Sequence, residues 1–411
     1  MDAPATPGGS SQRSLGWRLS FGGLLCLTMG VGPFVLYTLS VLAPLITRDL
    51  GLSRTELGGL VTISFAIATL TSVSSGGMTD RLGNRRALVV LHGLTAVSLI
   101  GLALGPTYWW LAAATALAGF SQSPSNPVTN RLIGQQVPAG RRGTLLGVKQ
   151  SGVQMSQFFA GAALPSMALL LGWRGAAAAS IAFVVLALVL TYKLVPAEVA
   201  LPRTGAGSHA RPPLPAVVPW LAVYGFLTGI VIQGGNVYLP LFSFEALGFG
   251  PQLAGATAGV VGGIGILGRI LWGRRAERAA TAVGPMLAIA VLSIVAVTSF
   301  LLSIVVGGPL LWFGATLFAL SALSSTVVLM MTVVRSIPSA STGRASGQVM
   351  LGVYSGFMTG PVVFGAVVDA TDSYEAGWLL LLACSVAATV LCLVWRGRAS
   401  SGALDRSQAS E

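Results

Sequence analysis

The chain has 411 residues, 54% of them hydrophobic and 9% charged, with 53 glycines and a net charge of +12. A water-soluble chain of this length needs far more charge to cover its surface, so the composition excludes a soluble globular protein and makes lipid the solvent. The positive charge does not mark a nucleic-acid binder, because the basic residues fall into alternate connections between apolar segments instead of gathering in one patch.

A bilayer crossing takes roughly 20 apolar residues, at about 1.5 Å of rise each over about 30 Å of hydrocarbon. That ruler predicts twelve helical spans: 19–45, 55–78, 86–105, 108–132, 143–171 and 175–195, then 216–243, 252–273, 283–306, 309–334, 344–368 and 376–395. The short alternating segments of a membrane barrel are absent, and unpaired backbone is not tolerated in lipid, so the expected fold is an all-α membrane protein. Residues 1–18 are polar and carry no cleavable signal pattern.

Arg13 and Arg18 precede the first span, Arg81, Arg85 and Arg86 follow the second, and Arg141 and Arg142 follow the fourth. Lys193, Arg203 and Arg211 surround the centre of the chain; Arg274, Arg275 and Arg278 follow the eighth span. Arg335 and Arg344 flank the next such connection, and Arg396, Arg398 and Arg406 close the chain. The opposite connections hold only Arg48, Arg54 and Arg174. By the positive-inside rule both termini are expected in the cytoplasm. The preference for Arg over Lys, with much Ala and Gly, points to a bacterial cytoplasmic membrane.

The long break in hydrophobicity is 197–215, where Pro202, Gly205, Gly207, Pro212, Pro213 and Pro215 keep the chain irregular. It divides the sequence into a tail (1–18), a six-helix bundle (19–196), a linker (197–215), a second six-helix bundle (216–396) and a tail (397–411). The halves echo each other. Gly76, Asp80 and Arg81 close the second span, and Gly273, Glu277 and Arg278 close the eighth with the same spacing. Arg131 and Pro138 precede Gly143 before the fifth span, as Arg335 and Pro338 precede Gly343 before the eleventh. Paired six-helix halves are the arrangement of carriers that expose a midplane site to each side in turn.

The stretch from Gly76 to Arg86, with Asp80, Arg81, Gly83, Arg85 and Arg86 in place, resembles the cytoplasmic loop signature of the major facilitator superfamily. With the twelve spans and the second copy, the resemblance covers essentially the whole chain. It implies a transporter of two pseudo-symmetric bundles and a cytoplasmic latch. In that latch Asp80 would engage Arg131 and the start of the eleventh span near Gly343. Glu277 would do the same with Arg335 and the start of the fifth near Gly143. Arg81 and Arg278 accompany the two acids. The plain alternative is that these arginines only mark the membrane edge.

A charge inside hydrocarbon costs at least about 2.5–3.5 kcal/mol, so an intramembrane cation is a candidate site. Lys149 in the fifth span and Arg269 in the eighth both lie within reach of snorkelling to the interface. Their surroundings point to more. Gln150, Gln154 and Gln157 share one face of the fifth span, and the fourth offers Gln122, Ser123, Ser125, Asn126 and Asn130 beside Pro124 and Pro127. The seventh carries Gln233, Asn236 and Tyr238 around Gly234, Gly235 and Pro240, where an irregular helix is expected; Tyr37, Thr38 and Tyr354 complete the set. Each polar group alone is as well explained by an interhelical hydrogen bond; together they outline a wet cavity.

No carboxylate falls in the middle of a span, while two cations do, so the expected ligand is an anion. The segment around Arg269 is similar to that of oxalate–formate exchangers and monocarboxylate carriers, where an arginine at this place helps bind the carboxylate. Those carriers supply a lysine from the eleventh span, where this chain has Tyr354, so Lys149 on the repeat-related span is the substitute the resemblance offers. The expected substrate contacts are Arg269, Lys149, Gln150, Gln154, Asn126, Asn236, Tyr37 and Tyr354. A proton or counter-anion would couple transport.

A proton-driven exporter of amphipathic drugs is the alternative. Gly356, Gly360, Pro361 and Gly365 resemble an exporter pattern, but the membrane carboxylate such pumps use is missing. Cys26, Cys384 and Cys392 have no metal-ligand spacing, and His92 and His209 have no partner cluster. No nucleophile–base set or phosphate loop is present, so neither an enzyme nor a cofactor is expected, and a monomer in the bilayer suffices.

Overall fold

The structure, a computed structural model, describes residues 15–196, 215–279, 281, 283–337 and 339–400. The side chains of 15, 18, 73–80, 139–144, 339–341, 343 and 398–400 fall outside the described set. Among the described residues the fold is entirely helical. The first half comprises α1 (Leu15–Leu50), α2 (Arg54–Leu104), α3 (Tyr108–Gln122), α4 (Ser125–Gln136), α5 (Ala139–Ala179) and α6 (Ile181–Leu194). The second comprises α7 (Val217–Glu245), α8 (Pro251–Arg278), α9 (Val283–Val306), α10 (Gly308–Leu320), α11 (Ser325–Ser336), α12 (Ser339–Thr371) and α13 (Tyr374–Ser400).

These helices are consistent with twelve crossings once their interruptions are read. α2 passes through the bilayer twice, turning at Gly83, whose φ of 74° and ψ of 166° lie outside the helical region. α5 turns in the same way at Gly172, with φ 69° and ψ 167°. Only glycine takes that backbone without a Cβ penalty, so both reversals need no loop. The fourth crossing is α3 and α4 together, broken at Ser123 and Pro124 as the prolines predict. The tenth is α10, a 3₁₀ turn at Ala322–Ser324 and α11. That break was not expected, since no proline marks it. Pro240 gives the opposite surprise: α7 runs unbroken from Val217 to Glu245 through Gly234, Gly235 and Pro240. Neighbouring helices bury that segment from Thr228 to Ser243, and the helix continues through the proline.

Each half is tied by glycines that bring helix backbones together. A Cβ on Gly152 of α5 would sit 2.0 Å from the Cys26 carbonyl of α1. In the second half, a Cβ on Gly356 of α12 would sit 2.2 Å from the Phe226 carbonyl of α7. Small residues at such crossings supply the packing that association in lipid depends on. The second half adds an aromatic cluster, with Trp378 ringed by Phe242, Phe300 and Phe364 at centroid distances of 4.9–5.1 Å.

The halves meet through α2 with α12, α5 with α8, and α1 with α7. Their hydrogen bonds and backbone contacts lie toward the end that carries Arg54, Glu245 and Asp369. The Thr62 hydroxyl donates to the Met358 carbonyl at 2.5 Å, and Ser40 donates to the Asn236 and Val237 carbonyls at 2.9 and 3.0 Å. Toward the opposite end, where α1 begins and α13 finishes, the described residues add the hydrogen bond of Arg269 with Gln150 between α8 and α5.

Candidate functional site between the halves

Arg269 stands nine residues before the end of α8, roughly 13 Å of helix from its terminus. Gly265 and Gly268, one turn before it and beside it, keep that face of α8 low; Gln154 and Ser324 lie against them. The guanidinium is half-buried, and one terminal nitrogen donates to the Gln150 carbonyl of α5 at 3.4 Å. Its Nε is enclosed and has no hydrogen-bond partner among the described residues. Tyr37 of α1 is close enough to interact with it electrostatically. An arginine in this position offers directed donors to whatever occupies the gap, and a planar fork suits a carboxylate.

Lys149 is treated differently. It is 2% exposed, and its ammonium donates to Asn126 Oδ1 at 3.2 Å, Thr129 Oγ1 at 3.0 Å and Asn130 Oδ1 at 2.5 Å. An ammonium has three donors, so all are committed to α4. Lys149 therefore ties α5 to α4 and contributes its charge from behind the site. Asn126, expected as a cavity contact, is engaged in that tie.

The remaining expected contacts divide. Gln154 is 1% exposed and its Oε1 has no partner, while Gln150 is exposed beside Arg269. Asn236 accepts from Gln157 Nε2 at 3.1 Å across the seam between α7 and α5. Tyr354 stacks on Phe65 of α2 at 6.5 Å and meets Phe357 edge-on at 5.9 Å. Arg269, Tyr37, Gln150 and Gln154 thus come together where α1, α5 and α8 meet, while Asn236 and Tyr354 make contacts across the α7–α5 and α12–α2 seams.

Of the latch residues, the side chains of Asp80, Gly143 and Gly343 lie outside the described set. Arg81, Glu277 and Arg278 are exposed, and Arg131 is half-buried. Arg335 donates to the Ala276 and Ala279 carbonyls at 2.6 and 3.0 Å, neutralising the end of α8 within its own half. His92 sits buried between Thr28 and Thr191, 3.4 Å from each hydroxyl, as a packing residue of the first half. Among the described residues no group of acidic, Cys and His side chains is arranged to hold a metal.

Sequence reasoning passed over the network at the Arg54 end. Arg54 reaches Glu245 at 3.0 Å and Asp369 at 3.7 Å, and the Thr55 hydroxyl donates to Asp369 at 2.6 Å. The signal was available: Arg54 and Arg174 sit on the side that the charge rule disfavours, and each has found a carboxylate. Arg174 pairs with Asp49 at 2.6 Å within the first half.

Two helical bundles packed against each other, with an arginine, a tyrosine and two glutamines gathered between them, define a membrane transporter of the paired-bundle class. The sequence matches the Major Facilitator Superfamily over residues 25–361, and the chain belongs to that superfamily. It is 24% identical over 402 residues to "Probable sulfoacetate transporter SauU" of Cupriavidus necator, covering 87% of this chain and 89% of that one. It is 27% identical over 365 residues to "Probable nitrate/nitrite transporter NarK2" of Mycobacterium tuberculosis, covering 85% and 90%. Among solved structures, a mutant of the nucleoside transporter NupG superposes with a TM-score of 0.74 at 14% identity, over 92% of this chain and 99% of that one. At that identity the likeness shows the fold alone.

Proposed function

We propose that this transporter is a secondary carrier of a small organic anion, a carboxylate by preference, working by rocking of its two halves. The observation that carries the reading is Arg269: a guanidinium deep in a span, reaching from α8 to α5 of the other half, with an unpartnered Nε and no acid beside it among the described residues. A buried cation without a counter-charge is costly, and an anionic ligand relieves that cost. The names of SauU and NarK2, each given for an anion, support the same sign.

In this reading Arg269 grips the anion, Tyr37, Gln150 and Gln154 line its path, and Lys149 and Asn126 hold a second positive charge behind it. Tyr354 and Asn236 shape the walls. The end where α1 begins and α13 finishes faces the cytoplasm, a placement the alternating arginines support, and the Arg54 end faces outward. Asp80, Arg81 and Arg131, with Glu277, Arg278 and Arg335, would close the cytoplasmic end in the opposite state. A proton or counter-anion drives the cycle in the bacterial cytoplasmic membrane, and a monomer contains every part named.

The test is a thermal-shift screen of purified protein against organic anions, with Arg269→Ala and Lys149→Ala beside the wild type. A ligand at a hundredfold excess over its dissociation constant stabilises by about 2.7 kcal/mol, which is readily seen. The expected result is a shift with a carboxylate that vanishes in Arg269→Ala. Shifts only with hydrophobic drugs, equal in all three proteins, would overturn the reading and favour an exporter.

A further inference from the structure

A helix leaves its first N–H groups without intrahelical partners. At the start of α2 these donors are all placed. Ser53 and Glu56 form a reciprocal box: the Ser53 N–H donates to the Glu56 carboxylate at 2.8 Å, and the Glu56 N–H donates to Ser53 Oγ at 3.1 Å. The two donors between them belong to Arg54 and Thr55. Both go to Asp369 of α12, in the other half, at 3.2 and 2.7 Å. The Thr55 hydroxyl adds a third bond at 2.6 Å, and the Arg54 guanidinium lies 3.7 Å from the same carboxylate.

Glu245 and Asp369 look alike in the sequence but stand differently. Glu245 accepts from Arg54 Nε and Nη2 at 3.1 and 3.0 Å, and also from the Tyr374 hydroxyl of its own half at 2.7 Å. It keeps a partner when the halves part. Among the described residues the hydrogen bonds of Asp369 all come from Ser53, Arg54 and Thr55 of the first half, and its side chain is only 24% exposed. Parting strands the carboxylate and two backbone donors at once. Asp372, 92% exposed and 3.8 Å from Arg54, adds little to this. The repeat-related helix has no equivalent: α8 begins at Gly250 and Pro251 with no side-chain cap.

We propose that Asp369 is a helix cap supplied by one half to the other, and that this single carboxylate latches the Arg54 face shut. The negative charge is placed at the positive end of α2, where it is worth more than an ion pair on the surface. The inference rests on the carrier reading above, but its test reads conformation and needs no substrate. A reporter thiol at Ser40→Cys, in the seam behind the latch, is labelled with a membrane-impermeant maleimide applied to the Arg54 face. Labelling of the chain without that substitution is subtracted, to remove Cys26, Cys384 and Cys392.

Asp369→Asn, which keeps the shape and removes the charge, is expected to label about tenfold faster, as loss of charge-assisted hydrogen bonds requires. Thr55→Val, which removes one of the three bonds, falls between Asp369→Asn and the wild type. Glu245→Gln changes the rate less than about threefold, in line with a part-exposed ion pair. Equal rates in Asp369→Asn and the wild type, or Glu245→Gln matching Asp369→Asn, overturns the proposal. Failure of the anion screen with these rates intact would sink only the substrate reading.

Discussion

Where α5 meets α8 the halves are joined by glycine, and where α2 meets α12 they are joined by charge. On the first seam Gly161 lies so close to α8 that a Cβ would fall 2.2 Å from the Gly259 nitrogen and 2.7 Å from the Gly255 carbonyl. On the second, Asp369 gathers the N–H groups of Arg54 and Thr55. Both seams also use close backbone approach, since a Cβ on Gly58 would fall 2.4 Å from the Pro361 carbonyl. The difference lies in what separation costs. Backbone contacts in a lipid setting lose dispersion only, and they fade as soon as the helices move. A carboxylate capping a helix loses directed bonds that water replaces imperfectly until the seam is fully open. The glycine seam therefore acts as a bearing and the charged seam as a catch.

That contrast can be broken most severely at the bearing. Gly161→Leu puts a side chain into backbone that cannot yield, and overpacking of this kind should raise labelling at Ser40→Cys by about a hundredfold and abolish solute accumulation. Normal labelling would mean that the two helices do not pack as described. At the catch, Asp369→Asn should give the next largest change, the roughly tenfold rise set out above. Gln157→Leu removes the single neutral bond to Asn236, and a rise of about fivefold in the same labelling is expected. A larger effect than that of Asp369→Asn would move the catch from the charged end to the middle of the seam. Glu245→Gln is the smallest, below about threefold, because Tyr374 still donates to residue 245.

Much of the fold was legible in the sequence. Apolar length and the alternation of arginines each follow from the bilayer itself, which imposes a span length and a charge asymmetry on any chain that crosses it. Arg269 could be named in advance for the same reason: a cation deep in a span stands out when lipid is the solvent. Lys149 was equally visible, yet its three bonds to Asn126, Thr129 and Asn130 were not. Spacing along one helix says nothing about which neighbour a flexible side chain will reach. The break at Ala322–Ser324 and the continuity of α7 through Pro240 were likewise hidden, because packing decides whether a weak point yields.

The catch shows where the boundary between the two sources falls. Arg54, Glu245 and Asp369 were all placed at helix ends by hydrophobicity alone, and the sequence could go no further. Arg54 and Asp369 are separated by 315 positions in the chain. Their meeting depends on how two rigid bundles are tilted against each other. The sequence by itself marked out twelve apolar spans, with which the helices are consistent, and the alternation of arginines between them, because each is a local bargain between a segment and its solvent. Only the tertiary structure decided which carboxylate reaches across to the start of α2, because that is a property of the seam between the halves, and no segment carries it alone.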